Sequence, residues 1–193
     1  MVRYNEFNII KEEIDPSDQI ALCKEFYMNG QDFSKAAIID NRNGTVTIDS
    51  YVCWLTDGYV SNTLPKVNIQ RCRHSFECQG HKLTSLKYIP KIIPGDLVCY
   101  DNPLISLEGI ELDSYIGNEI LLTYTPTLPL LRTVKAKNGV LFQDKNSDIS
   151  SGNDIDVIRK IIHIHCKNPN IKQAIYNCQY DLIKSGFKGN ARW

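Results

Sequence analysis

Residues 75–86 read SFECQGHKLTSL, and residues 96–107 read DLVCYDNPLISL. At a fixed offset of 21 residues, apolar Phe76 falls on Leu97, Cys78 on Cys99, Leu83 on Leu104, Ser85 on Ser106 and Leu86 on Leu107. The shared pattern is φ-x-C-x4-L-x-S-L, with φ apolar. Alternate side chains of a strand point the same way, so φ and the cysteine share one face. A bend then returns the two leucines to the same interior. One such unit cannot bury its own apolar edge, whereas stacked units build a continuous core and a parallel strand ladder. Leu83, Leu86, Leu104 and Leu107 are expected to line that core.

Weaker copies flank the two clear ones. Downstream, Ile120 and Leu122 take the strand positions, followed by Leu128 and Leu131, with the offset slipped to 23 and leucine in place of cysteine. A further strand, Val140-Leu141-Phe142, follows the turn pair Asn138-Gly139. Upstream, Tyr51-Val52-Cys53-Trp54-Leu55, then Val60 and Leu64-Pro65, form a degenerate first coil. Pro90, Pro94-Gly95, Gly109 and Gly117-Asn118 break the chain at roughly repeat spacing.

Residues 44–110, from Gly44-Thr45-Val46-Thr47-Ile48-Asp49 onward, resemble the leucine-rich-type repeats of tailed-bacteriophage proteins. Those repeats have the form C-x-x-N-x-L-T-S-L-E-G-x-P-x-x-V-x-G-D-F. Leu83-Thr84-Ser85-Leu86, Pro90, Gly95-Asp96 and Ser106-Leu107-Glu108-Gly109 match it, while Gly80-His81-Lys82 replaces the asparagine after the first cysteine. The C-terminal Gly186-Phe187-Lys188-Gly189-Asn190-Ala191 resembles the ending of several such proteins. The resemblance implies a phage origin, a location in the host cytoplasm and an interaction role; it supplies no ligand.

Helical segments flank the repeats. Asp15-Pro16-Ser17-Asp18 is a helix start, with a capping side chain and proline in the first turn. Ile20, Leu22, Cys23, Phe26 and Tyr27 recur at helical spacing, and Asn29-Gly30 closes the helix. A second short helix is expected from Phe33 to Ile38, then a turn over Asn41-Arg42-Asn43-Gly44. After a polar linker from Lys145 to Asn153, one helix carries Ile155, Ile158, Ile161, Ile162 and His165. Asn168-Pro169-Asn170 interrupts it, and a second helix carries Ile171, Ala174, Ile175, Cys178, Leu182 and Ile183 before stopping at Ser185-Gly186. The expected fold is α+β. It has an N-terminal helical cap (1–43), a short leucine-rich-repeat-like solenoid with a parallel strand ladder (44–145), and a C-terminal helical hairpin (154–193).

The 193 residues suffice for one domain with a substantial core. Lys and Arg number 22 against 22 Asp and Glu, and this neutrality does not favour bulk nucleic-acid binding. No run of about 18 apolar residues suggests a membrane span. Seven cysteines, an odd number without an export signal, are read as reduced thiols serving mostly as small buried hydrophobes.

The chemistry-bearing residues give no enzyme signature. Cys72, His74, Cys78 and His81 are zinc-ligand types, and a metal-dependent enzyme built on them is one alternative. Their C-x-H-x3-C-x2-H spacing matches no common finger, however, and the repeat turns Cys78 inward. His163-Ile164-His165-Cys166 point in different directions around a helix, so the histidines are read as surface groups favourable to the helix dipole. No phosphate-loop, dinucleotide, nucleophile-elbow or zinc-protease motif occurs. No enzyme, cofactor or metal is therefore expected.

Two surfaces remain. Outward positions on the strand ladder, Glu77, Gln79, Val98, Tyr100, Leu121 and Tyr124, would form an apolar patch suited to a host or phage protein. The helical tail or a homodimer mate could cover the same face. From Asp154 to Trp193 seven Lys and Arg stand against three Asp. This basic tail, with Arg159, Lys160, Lys172 and Lys184, offers nucleic-acid or nucleoprotein binding as the second alternative.

Overall fold

The computed structural model describes residues 15–26, 37–50, 52–55, 59, 61–146 and 148–193. Two five-stranded sheets are wound by one chain. The first contains β1 (Ala37–Asp40), β2 (Val46–Asp49), β4 (Ile69–Cys72), β6 (Ile92–Ile93) and β8 (Tyr115–Ile116), side by side in that order. The second contains β3 (Val52–Trp54), β5 (Ser75–Glu77), β7 (Leu97–Val98), β9 (Glu119–Leu122) and β10 (Gly139–Phe142). Every pairing is parallel except β1 with β2. The chain therefore alternates between sheets and climbs one strand per circuit, a β-solenoid of about four turns.

Register fixes the coil lengths. Cys53, Phe76, Leu97, Ile120 and Val140 are successive Cα partners across the second sheet, in steps of 23, 21, 23 and 20 residues. All five are buried, as are Leu55, Cys78, Cys99, Leu122 and Phe142 two residues further on. Leu83, Leu86, Leu104, Leu107, Leu128 and Leu131 close the interior from the third side, each 4% exposed or less. Leucines and cysteines of successive turns thus share one core, as the repeat requires.

Polar side chains brace the corners from turn to turn. Asn102 is buried; its Nδ2 donates to the carbonyls of Cys78 (2.7 Å) and Cys99 (3.1 Å), and its Oδ1 accepts from Leu83 N (3.1 Å). At another corner Ser75 Oγ accepts from Asp96 N (3.1 Å), Asp96 Oδ1 accepts from Asn118 Nδ2 (2.6 Å), and Asn118 Oδ1 accepts from Asn138 Nδ2 (2.5 Å). Successive backbones approach so closely here that a Cβ on Gly117 would collide with the Pro94 carbonyl, and one on Gly95 with His74 and Ser75.

Helices cover both ends. In α1 (Pro16–Phe26) the carboxylate of Asp15 accepts from Ser17 N at 2.8 Å, the expected cap. Buried Gln19 ties α1 to two coils, its Nε2 donating to Gly44 O (3.1 Å) and its Oε1 accepting from Asn68 N (2.9 Å). The expected closure at Asn29-Gly30 and the start of the second helix at Phe33 lie outside the described residues. Its far end is overturned: Ile38 belongs to β1, whose pairing to β2 across the Asn41–Gly44 turn supplies strand hydrogen bonds that a helix would forgo.

At the other end a 3-10 turn (Leu131–Lys135), α2 (Asn153–His165) and α3 (Ile171–Lys184) close the stack. Asn170 caps α3, its Oδ1 accepting from Gln173 N at 3.2 Å. The chain then returns to the solenoid: Leu130 N and Leu131 N donate to the carbonyls of Asn190 and Arg192, and Asn190 Nδ2 donates to Thr125 O (3.1 Å) and Leu128 O (2.9 Å). No helix among the described residues is long and apolar enough to cross a membrane.

Candidate interaction surface

Strand alternation turns the residues between the core positions outward. On the second sheet, Glu77, Val98, Leu121 and Leu141 are successive Cα partners and form one transverse row. Two residues further along each strand lie Gln79, Tyr100, Thr123 and Gln143. All eight are half-buried. Five of the six residues expected on this face are therefore on it: Glu77, Gln79, Val98, Tyr100 and Leu121.

Tyr124 is not. It stands three residues beyond Leu121, and an odd step along a strand changes face. It packs against the core, edge-on to Phe142 with ring centroids 5.3 Å apart, and its hydroxyl donates to Asn190 Oδ1 at 3.4 Å. The apolar row instead continues into Leu141, whose outward direction follows from the alternation of Val140-Leu141-Phe142. The expected Tyr100/Tyr124 patch is replaced by a Val98–Leu121–Leu141 ridge flanked by polar groups.

The flank carries its own chemistry. Gln79 Nε2 donates to Glu77 Oε2 at 3.4 Å, while Gln79 Oε1 is buried and accepts no hydrogen bond. Thr123 Oγ1 accepts from Asp101 N (2.8 Å) and donates to Gln143 O (3.0 Å), stitching adjacent coils.

Where α2 crosses the β10 edge, a groove of about 290 Å³ is lined by Glu119, Asn138, Leu141, Arg159, Lys160 and His163. Partial burial, and then the neighbouring Asp96 carboxylate, raise the pKa of Glu119. His163 Nδ1 donates to Asn138 O at 3.2 Å, and Arg159 is held by Asp156 at 2.8 Å.

The cysteine–histidine segment does not assemble a metal site. Among the described residues no three His, Cys, Asp or Glu side chains converge on a point suited to an ion. Cys72 and Cys78 point into the core, where burial pushes the Cys72 thiol up to about 12 and raises Cys78 well above the ordinary range. His74 lies outside, its Nδ1 2.9 Å from Ser75 Oγ, and His81 stands edge-on to Tyr59 at 6.3 Å. In the second segment His163 is exposed, but His165 is 9% exposed and its Nε2 donates to Asp181 Oδ2 at 2.8 Å, tying α2 to α3. The surface reading of His165 is thereby corrected: the α2–α3 contact buries it.

Of the basic residues singled out in the tail, Arg159 is spent on Asp156, whereas Lys160, Lys172 and Lys184 are exposed and have no ion-pair partner among the described residues. Sequence reasoning missed Asn102, although Cys99-Tyr100-Asp101-Asn102 has the C-x-x-N form of the phage repeats. Comparison with protein-family models, with characterised proteins and with solved structures finds no match to this chain, so the reading of its function rests on the geometry of these two surfaces.

Proposed function

We propose that this chain is a non-catalytic protein-binding module that docks on a host or phage protein through the outer face of the β3–β10 sheet. The observation that carries the reading is the Val98–Leu121–Leu141 ridge, flanked by the Gln79–Tyr100–Thr123–Gln143 row on a parallel sheet. Adjacent strands stand about 4.8 Å apart, so the ridge presents its side chains at a spacing that a partner's apolar anchors can fill. The carboxylate of Glu77, which accepts from Gln79 Nε2, gives the rim an orientation-setting polar group. Seated on stacked coils, these side chains are held in place, which lowers the entropy lost on docking. The phage setting comes from the resemblance of the repeats, and modulation of the bound protein follows from occupying its surface.

The test pairs the wild type with Val98→Asp/Leu121→Asp, both outward positions, in affinity purification from phage-infected cells. A partner retained by the wild type and lost by the double variant, with the circular dichroism of the two proteins unchanged, supports the reading. Equal recovery of every partner by both proteins refutes it.

A further inference from the structure

The outward face of α3 differs from the rest of the surface. Lys172, Tyr176, Tyr180, Ile183 and Lys184 are all exposed, with Tyr176 at 65% and Tyr180 at 59%. At about 100° per residue these five fall within about a third of the helix circumference, and the steps Lys172–Tyr176–Tyr180–Lys184 each climb about 6 Å. The acidic residue of α3, Asp181, points away to His165. The buried side of the helix is Ala174, Cys178 and Leu182, so Tyr176 and Tyr180 are not needed to fill the core.

Charge across the tail follows the same division. From Asp154 onward, Arg159 is paired with Asp156, Lys167 donates to Lys137 O and Asn138 Oδ1, and Arg192 donates to Thr127 O and Gly189 O. Lys160, Lys172, Lys184 and Lys188 have no ion-pair partner among the described residues. The overall neutrality of the chain thus conceals a face on which the cations are uncompensated.

We propose that this face of α3 binds single-stranded nucleic acid, a role separate from docking on the solenoid sheet. The two tyrosine rings offer stacking platforms for successive bases, and the lysines at either end of the stripe meet the phosphates. Stacking on tyrosine tolerates any base, so the face reads strandedness rather than sequence. A second copy of the chain is a poor occupant. Antiparallel pairing of two such stripes would set Lys172 against Lys184, and parallel pairing each lysine against itself, with no carboxylate to separate them. An acidic helix of another protein would match the charge but would want aliphatic anchors, and Ile183 is the single one in the stripe.

The experiment is fluorescence anisotropy of the full chain with labelled oligo(dT) of about 16 nucleotides, titrated between about 50 and 200 mM salt. Saturable binding is expected, weakened at least tenfold by Tyr176→Ala/Tyr180→Ala and preserved by Tyr176→Phe/Tyr180→Phe, because the ring face and not the hydroxyl makes the contact. Single-strand binding loses about 0.7 in the log–log salt slope per phosphate contact removed, so Lys172→Gln/Lys184→Gln should flatten the slope by about 1.4. All four positions are solvent-exposed, and unchanged circular dichroism will show that the variants fold. Absence of saturable binding overturns the proposal, as does an alanine double variant that binds like the wild type. Polyglutamate of similar length, binding as tightly and with the same dependence on the tyrosines, also overturns it and reassigns the face to an acidic protein.

Discussion

Asn102→Ala tests the stacking of the coils at its most exacting point. The side chain reaches from its own coil to the preceding one, donating to Cys78 O and Cys99 O and accepting from Leu83 N. Those three residues are 1% exposed or less, so bulk solvent does not reach them to replace the lost partner. An orphaned buried backbone group costs about 1–3 kcal/mol, and three of them, with partial relaxation of the carbonyls, come to about 3–6 kcal/mol. A domain of this size is stable by about 5–15 kcal/mol in total, so the loss is a large fraction of the whole. Urea unfolding followed by circular dichroism measures it. Glu108→Ala serves as the control: it removes an exposed pair with Lys87 at 3.8 Å and should cost less than about 1 kcal/mol. Asn102→Asp sharpens the test. At neutral pH its carboxylate faces two carbonyls and repels them, whereas the protonated acid again donates one hydrogen bond. That variant, unlike the wild type, should therefore gain stability as the pH falls. A loss below about 1 kcal/mol for Asn102→Ala would refute the bridging role of this residue.

Other expectations follow from the same packing. Leu107→Ala, in the shared interior, should lower stability by about 2–5 kcal/mol in the same unfolding assay. Gly117→Ala drives a methyl group into the Pro94 carbonyl and should cost about 3 kcal/mol, visible as a fall in melting temperature, whereas Gly44→Ala, at φ +75° but in open space, should cost about 1 kcal/mol. Of the seven thiols only Cys166 is partly exposed, so thiol titration of the native protein should find one fast-reacting group, lost in Cys166→Ser, and seven in denaturant. Burial holds Cys23, Cys72, Cys99 and Cys178 at about 12 against 9.0 when free, so the unfolded chain releases these protons first as the pH rises. Stability should accordingly be undiminished by these groups below pH 9 and fall above it, by about 1.4 kcal/mol per pH unit for each such thiol, read as a drop in urea midpoint between pH 8 and pH 10.

Local pattern was enough to find the second sheet. Phe76, Cys78, Leu97 and Cys99 announce themselves by period-two spacing and by recurrence, and bulky side chains at those positions have nowhere to go but a common interior. The first sheet was harder to see. Its β6 and β8 strands are two residues long, too short for alternation to register, and they exist because each pairs with a coil on either side. Unequal coil lengths of 23, 21, 23 and 20 residues also blur any single repeat offset, because corners absorb insertions without disturbing the ladder.

The candidate surfaces divide in the same way. The linear sequence determined that Val98 and Leu121 lie on the face opposite the core, and that Lys172, Tyr176, Tyr180 and Lys184 share one side of a helix, because strand and helix periods are properties of the backbone alone. Only the tertiary structure decided that Tyr124 meets Phe142 and Asn190, that His165 is buried against Asp181, and that no carboxylate among the described residues is brought to Lys172 or Lys184. Those outcomes depend on which elements meet, and the stacking of whole coils, a sum of many small contacts between residues far apart in the chain, determines that meeting.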